Sequence, residues 1–209
     1  MLTNAMRSEL TAISGLSVLT EPDDLERYSR DAYDYSPVLR ERLADCRADV
    51  VVRPDSVDAV VQVAGLCRRH GVPLTLRGSG TGNYGQCVPL EAGVVMLMSH
   101  LRSVRAIDPV TGDVTVECGC LLKDLNRDLV AQGRQLRLMP STWRSATIGG
   151  FIAGGSGGIG SVRWGFLRDP GHLLGLEVVT LEREPRVLQL EASEACLLYT
   201  SDAADETTG

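Results

Sequence analysis

The chain has 209 residues, 44% of them hydrophobic and 23% charged, which supports a packed core in one domain or two small ones. Its net charge is −6, and its basic residues, twenty arginines and the single Lys123, are scattered, which excludes the basic footprint of a nucleic-acid binder. An 18-residue apolar run and a basic-then-apolar leader are absent from the sequence, so neither a membrane span nor a secretion signal is expected.

The first 45 residues are polar and helical in tendency. T-E-P-D-D-L-E-R-Y at 20–28 predicts a helix with Thr20 as N-cap and Pro22 in its first turn. D-V-V-V-R-P (49–54) reads as a strand closed by Pro54. Ser56 then caps a helix whose Val57, Val60, Val61, Ala64 and Cys67 share one face, and Gly71 ends it. P-L-T-L-R (73–77) reads as a second buried strand. Strand, helix and strand with short joints make a βαβ unit, which requires parallel strands.

The second strand runs into R-G-S-G-T-G-N-Y-G-Q, with four glycines between 78 and 85, rather than into a helix. G-V-V-M-L-M-S (93–99) is another strand. R-A-I-D-P-V-T-G-D-V-T-V-E (105–117) predicts two strands joined by a turn. L-L-K-D-L-N-R-D-L-V-A-Q-G (121–133) is a helix stopped by Gly133. L-L-G-L-E-V-V-T-L (173–181) and R-V-L-Q-L (186–190) are strands that pair back on each other. The order is mixed α and β, parallel at first and antiparallel later.

Cysteines stand at 46, 67, 87, 118, 120 and 196 with no C-x-x-C, and only three histidines accompany them. No metal site is expected, and the thiols read as reduced and buried, as in a cytoplasmic protein. The last residues, C-L-L-Y-T-S-D-A-A-D-E from Cys196, resemble the translated read-through of a DNA-library adapter. The natural sequence is therefore expected to stop near Ala195, within a longer protein.

Two stretches are too rich in glycine to be ordinary connections. One is Gly78 to Gly85; the other is G-G-F-I-A-G-G-S-G-G-I-G at 149–160. A glycine loop after a strand can aim several backbone N–H groups into one concavity, which suits phosphate or pyrophosphate. A P-loop is excluded because no G-K-[ST] follows. G-x-G-x-x-G is present at Gly80–Gly85, but the helix and acidic residue of a dinucleotide fold do not follow it.

R-G-S-G-T-G-N-Y-G-Q-C-V-P, V-E-C-G-C-L-L-K-D-L-N, A-T-I-G-G-F-I-A-G-G-S-G-G, W-G and L-L-G-L-E-V-V follow one another in this order. Together they resemble the FAD-binding domain of FAD-linked oxidases, the superfamily of vanillyl-alcohol oxidase and p-cresol methylhydroxylase. Within it the chain looks most like the glycolate oxidase catalytic subunit and the D-lactate and D-2-hydroxyglutarate dehydrogenases.

The resemblance implies an α+β fold of the PCMH type. It has a small parallel βαβ subdomain, a larger subdomain with a mainly antiparallel sheet, and FAD between them. It divides the chain into a helical lead-in (1–45), the FAD-binding domain (46–195) and the adapter-like tail (196–209), with the substrate-binding cap domain absent. It places Arg77, Gly78, Ser79, Gly80, Thr81, Gly82 and Gly85 around the pyrophosphate. Pro140, Ser141, Ala146, Thr147, Gly149 and Gly150 then line the second side of the cofactor. Gly154, Gly155, Gly157 and Gly158 admit the flavin and its ribityl chain, and Val178 or Val179 offers main-chain groups to the adenine. Members with covalent flavin carry His where this chain has Thr81, so the FAD is expected to be non-covalent. Trp164 stands where Tyr is more usual.

The implied activity is oxidation of a 2-hydroxy acid by hydride transfer to FAD. Electrons would pass to a quinone, a partner subunit or oxygen, in the cytoplasm or at the inner membrane surface. The implied catalytic His and Arg belong to the cap domain, so none is assigned among His70, His100, His172, Arg163 and Arg168. Tyr33, Asp34 and Tyr35 resemble the family's lead-in and would approach the substrate. The same fold with an alditol, lactone, aromatic alcohol or ether-lipid precursor is the first alternative, and a catalytically idle FAD-binding module is the second.

Overall fold

The computed structural model describes residues 2–32, 36–155 and 157–191. Tyr33, Asp34, Tyr35, Ser156 and the adapter-like tail lie outside the described residues. The core begins with three consecutive valines of β2 (Val50–Pro54), each at most 1% exposed. A strand buried on both faces must be covered on both, as parallel strands with helical crossovers are. All four residues of β4 (Val94–Leu97) are buried beside it, parallel and in register from Val50 with Val94.

The sheet has four strands, in the order β1 (Leu16–Leu19), β2, β4, β3 (Leu74–Arg77). On one face Val50, Val52, Val94 and Met96 meet α1 (Asn4–Ala12) through Met6 and Leu10, and α4 (Val57–His70) through Val63 and Leu66. On the other, Val51, Val95 and Leu97 meet Leu25 and Tyr28 of α2 (Pro22–Tyr28). Burying each such aliphatic side chain contributes about 1.5–3 kcal/mol, so these two layers dominate the fold.

Several expectations change in detail. β1, within the stretch read as helical, is an antiparallel edge strand whose Leu16 pairs with Pro54. Glu21, not Thr20, precedes α2, and no side chain caps that helix. Ser56 does cap α4, accepting the Ala59 N–H at 3.3 Å, and Gly71 ends it in the left-handed region. The buried face of α4 also takes in Ala59, Val63 and Leu66, while Val57 and Val61 are only half-buried. β3 is not a buried strand: β4 inserts between it and β2, so β3 is an edge with Leu76 exposed.

The antiparallel continuation consists of two separate ladders, β5 (Val104–Ile107) with β6 (Val114–Val116), and β7 (Gly175–Val179) with β8 (Val187–Glu191). The first packs on α5 (Leu122–Val130) around Cys120, Leu125 and Leu129. α3 (Pro37–Leu43), capped by Ser36, precedes β2. The second glycine stretch is not all loop. Residues Ile148–Gly154 form α6, and Ser161–Trp164 form a short α7. Phe151 is buried against Leu122, Leu138 and Leu167, and that packing outweighs the poor helix propensity of Gly149 and Gly150.

Candidate cofactor site

The first glycine loop leaves β3 at its C-terminal end, the edge of a parallel sheet where ligands of such sheets bind. Among the described residues, the N–H groups of Ser79, Gly80, Thr81, Gly82 and Asn83 make no hydrogen bond, whereas the next two are engaged. Tyr84 N–H donates to Gln86 Oε1 at 3.1 Å, and Gly85 N–H to Asp31 Oδ2 at 3.1 Å. Five successive main-chain donors without an internal partner suit an anion, and each bond to a charged oxygen contributes about 1.5–3 kcal/mol.

The loop rests on Arg77. This arginine is 6% exposed, and its guanidinium fills the space beneath Gly80, whose φ is +67°. A methyl group at Gly80 would overlap the guanidinium and strain the backbone at once. The Arg77 NH1 atom lies 3.8 Å from Asp31 Oδ1, and the Asp31 side chain is wholly buried. Ala32 N–H donates to Gly80 O at 2.7 Å.

The second group approaches from the other half of the chain. A methyl on Gly78 would overlap Thr147 Oγ1, so the start of the loop lies directly against Thr147, which is 3% exposed. Thr147 caps α6 by accepting the Gly150 N–H at 3.3 Å. Leu122 N–H donates to Ala146 O (3.0 Å), Ile148 N–H to Cys120 O (2.9 Å) and Gly149 N–H to Cys118 O (2.8 Å). These bonds hold Ala146 to Gly149 against the segment that joins β6 to α5. The approach is close enough that a methyl on Gly149 would lie 2.6 Å from Cys118 Cβ.

Pro140 and Ser141 follow Met139, which exchanges two main-chain bonds with Ile159 (3.1 and 2.6 Å). That bridge brings Pro140 beside Gly158, while Gly157 packs on the Phe166 ring. Gly154 and Gly155 stand exposed at the end of α6. Val178 and Val179 are on β7, paired with Leu188 and Val187. The structure thus joins residues 77–85 to 146–150, and 140 to 157–158. The β7 pair stands on a separate element that reaches the core through Val179.

Burial pushes the Cys87 thiol up, and the Asp31 carboxylate pushes it further, against the pull of Arg77. Burial likewise raises Cys118. Both are held as thiols at neutral pH, not as nucleophiles. Each histidine is occupied: His70 Nε2 lies 3.0 Å from Glu9 Oε1, His100 3.4 Å from Arg53, and His172 2.7 Å from Trp164 O. Arg137 and Arg163 stack on the Trp164 ring at 5.3 and 4.7 Å, and Arg168 on Phe166 at 5.2 Å. Among the described residues no group of His, Cys, Asp and Glu is arranged to hold a metal ion, and no helix is long and apolar enough to cross a membrane.

Asp31 is the residue that sequence reasoning missed. It belongs to a lead-in dense in charge, and nothing local marks it off from its acidic neighbours. The only signal was indirect, namely that an arginine opening a glycine loop, once buried, requires a carboxylate.

A pyrophosphate-bearing cofactor fits this arrangement, because successive unengaged N–H donors lie in a loop where Gly78 and Gly80 leave no room for a side chain. Comparisons with known proteins point the same way. The glycolate oxidase subunit GlcD of Bacillus subtilis is 31% identical over 179 residues, covering 86% of this chain and 36% of that protein. Mitochondrial D-2-hydroxyglutarate dehydrogenase of Danio rerio is 32% identical, covering 63% and 24%. D-lactate dehydrogenase of Anaerostipes hadrus is 32% identical, covering 59% and 26%. The chain thus spans about a third or less of the length of these relatives. Two crystal forms of alkyldihydroxyacetonephosphate synthase share the fold, with TM-scores of 0.75 and 0.77 at 20% identity; they cover 92% and 95% of this chain, and 36% and 40% of theirs. Residues 48–184, which contain both glycine segments, match the family described as the FAD binding domain, and the chain belongs to that family.

Proposed function

We propose that this chain is the FAD-binding portion of an oxidoreductase acting on a 2-hydroxy acid of the glycolate or D-lactate type. The observation that carries the reading is the run of five unengaged N–H groups from Ser79 to Asn83, backed by buried Arg77, at the end of a parallel strand. When bound, FAD supplies the hydride acceptor for oxidation of a CH–OH group. The chain's own part is to bind and orient. Arg77, Gly78, Ser79, Gly80, Thr81, Gly82 and Gly85 receive the pyrophosphate. Pro140, Ser141, Ala146, Thr147, Gly149 and Gly150 line the second side. Gly154, Gly155, Gly157 and Gly158 leave room for the flavin, and Val178 or Val179 meets the adenine. Thr81 has no ring nitrogen to offer, so the cofactor is held without a covalent bond.

The three histidines are committed to other partners, so we place the acid–base groups in a substrate domain of a longer protein, beyond a cofactor domain of residues 46–195. The 2-hydroxy-acid reading rests on the named activities of the relatives; the likeness to the synthase concerns the fold. One relative is named as a subunit, which supports electron transfer to a partner subunit or quinone, in the cytoplasm or at the inner membrane surface.

The test is the visible absorption spectrum of the purified chain after incubation with FAD and removal of the excess. The expected result is a flavin band that stays with the protein and is released by denaturation. A folded chain that retains no flavin overturns the assignment.

A further inference from the structure

We propose that Asp31 is a positioning residue for the first glycine loop, so that the lead-in preceding the family match is part of the cofactor site. Three contacts carry the inference. The buried Asp31 carboxylate lies 3.8 Å from the Arg77 guanidinium at the start of the loop. Its other oxygen accepts the Gly85 N–H at 3.1 Å, at the loop's end. The next residue, Ala32, donates its N–H to Gly80 O at 2.7 Å, in the middle. One short segment therefore fixes the loop at its foot, its crown and its far end.

The chemistry explains why a carboxylate is needed there. Arg77 is 6% exposed and its NH1 atom has no hydrogen-bond partner among the described residues, so its charge requires compensation nearby. Asp31 supplies that charge and spends its second oxygen on the loop backbone. Gly80 O and Gly85 N–H are taken by this segment, while the N–H groups of Ser79 to Asn83 have no hydrogen-bond partner among the described residues. The carboxylate touches the loop, not the ligand. It acts by fixing the loop that carries the five unengaged donors, and its charge faces the guanidinium packed under Gly80.

The inference rests on the proposed function in one respect, that the loop receives a pyrophosphate. The test therefore has one readout that needs no FAD. In the 209-residue chain, D31N removes the charge and keeps an acceptor. Exchange of the Gly85 and Ala32 amides, the two that these contacts protect, accelerates by about tenfold or more, the size expected for taking the charge out of a charge-assisted hydrogen bond, while exchange across β4 is unchanged. The FAD dissociation constant rises by about the same factor. The phosphorus-31 resonances of bound FAD shift, whereas the visible flavin band does not, a signature that a general loss of stability would not produce.

Unchanged loop exchange in folded D31N overturns the proposal. If D31N does not fold, D31N/R77Q, which buries no lone charge, takes its place with the same expectation and the same overturning result. A folded wild-type chain without affinity for FAD defeats the flavin reading alone, and loop exchange still decides the role of Asp31.

Discussion

Thr147 and Gly78 meet with no room between them: the hydroxyl that caps α6 lies where a side chain on Gly78 would have to go. The contact joins the strand-end loop of the parallel sheet to the helix that opens the second glycine stretch. G78A should force the two apart, destabilising the protein by about 1–3 kcal/mol and reducing flavin retention. T147A should cost about 1 kcal/mol through the lost cap. Because T147A also clears the space, the double variant should be less destabilised than the two single effects added together. Urea titration of the four proteins checks this, and strict additivity would mean that the two residues do not press on each other.

Ser29 ties the lead-in to the central sheet. Its hydroxyl is 2% exposed, donates to Leu25 O at 2.6 Å and accepts the Ala48 N–H at 2.9 Å. S29A leaves that buried N–H without its acceptor and should destabilise by about 1–3 kcal/mol. S29T, which keeps the hydroxyl, should recover much of the loss if the added methyl is accommodated. Equal losses in the two variants would point to crowding instead of the hydrogen bond.

The β5–β6 turn should be sensitive to acid. Asp108 accepts the Thr111 N–H at 2.9 Å and the Val110 N–H at 2.7 Å, and these bonds hold its carboxyl below the usual carboxylate range. A lowered folded-state pKa stabilises above the unfolded value, and that contribution is lost as pH falls through the folded one. The difference in melting temperature between wild type and D108A should therefore be constant from neutral pH down to about 5 and shrink below about 4. Melting curves across that range decide it, and a gap that stays constant into strong acid would exclude the mechanism.

Thiol chemistry offers a check on the core. Cys67 is 1% exposed at the end of α4, and burial pushes its pKa up to about 11. Under native conditions at pH 8 it should resist alkylation, while the half-buried Cys46 reacts. Peptide mass mapping after brief iodoacetamide treatment separates the two. Rapid labelling of Cys67 without denaturant would mean that α4 opens readily from the sheet.

What could be read in advance depended on how local each signal was. β2, α4 and the Gly71 stop are punctuated by Pro54, Ser56 and the glycine itself, so a valine run followed by a helical period sufficed. β1 was hidden because L-S-V-L is short, and its strand state comes from pairing with β2 more than thirty residues away. The glycines of 149–155 suggest a loop; Thr147 at the start of α6 and Phe151 beneath it decide otherwise. The first glycine loop was legible from its glycines. Asp31 was not, since a carboxylate that faces an arginine across a fold carries no mark of it in the chain.

The insertion of β4 between β2 and β3 sets an order of events during synthesis. β3 leaves the ribosome before the strand that fastens it to β2, and until Val94 to Leu97 arrive it has no neighbour on either side. Early pausing between Arg77 and Met98 would leave an apolar half-sheet open to other nascent chains, so this interval is where a cell would most need a chaperone to attend the protein.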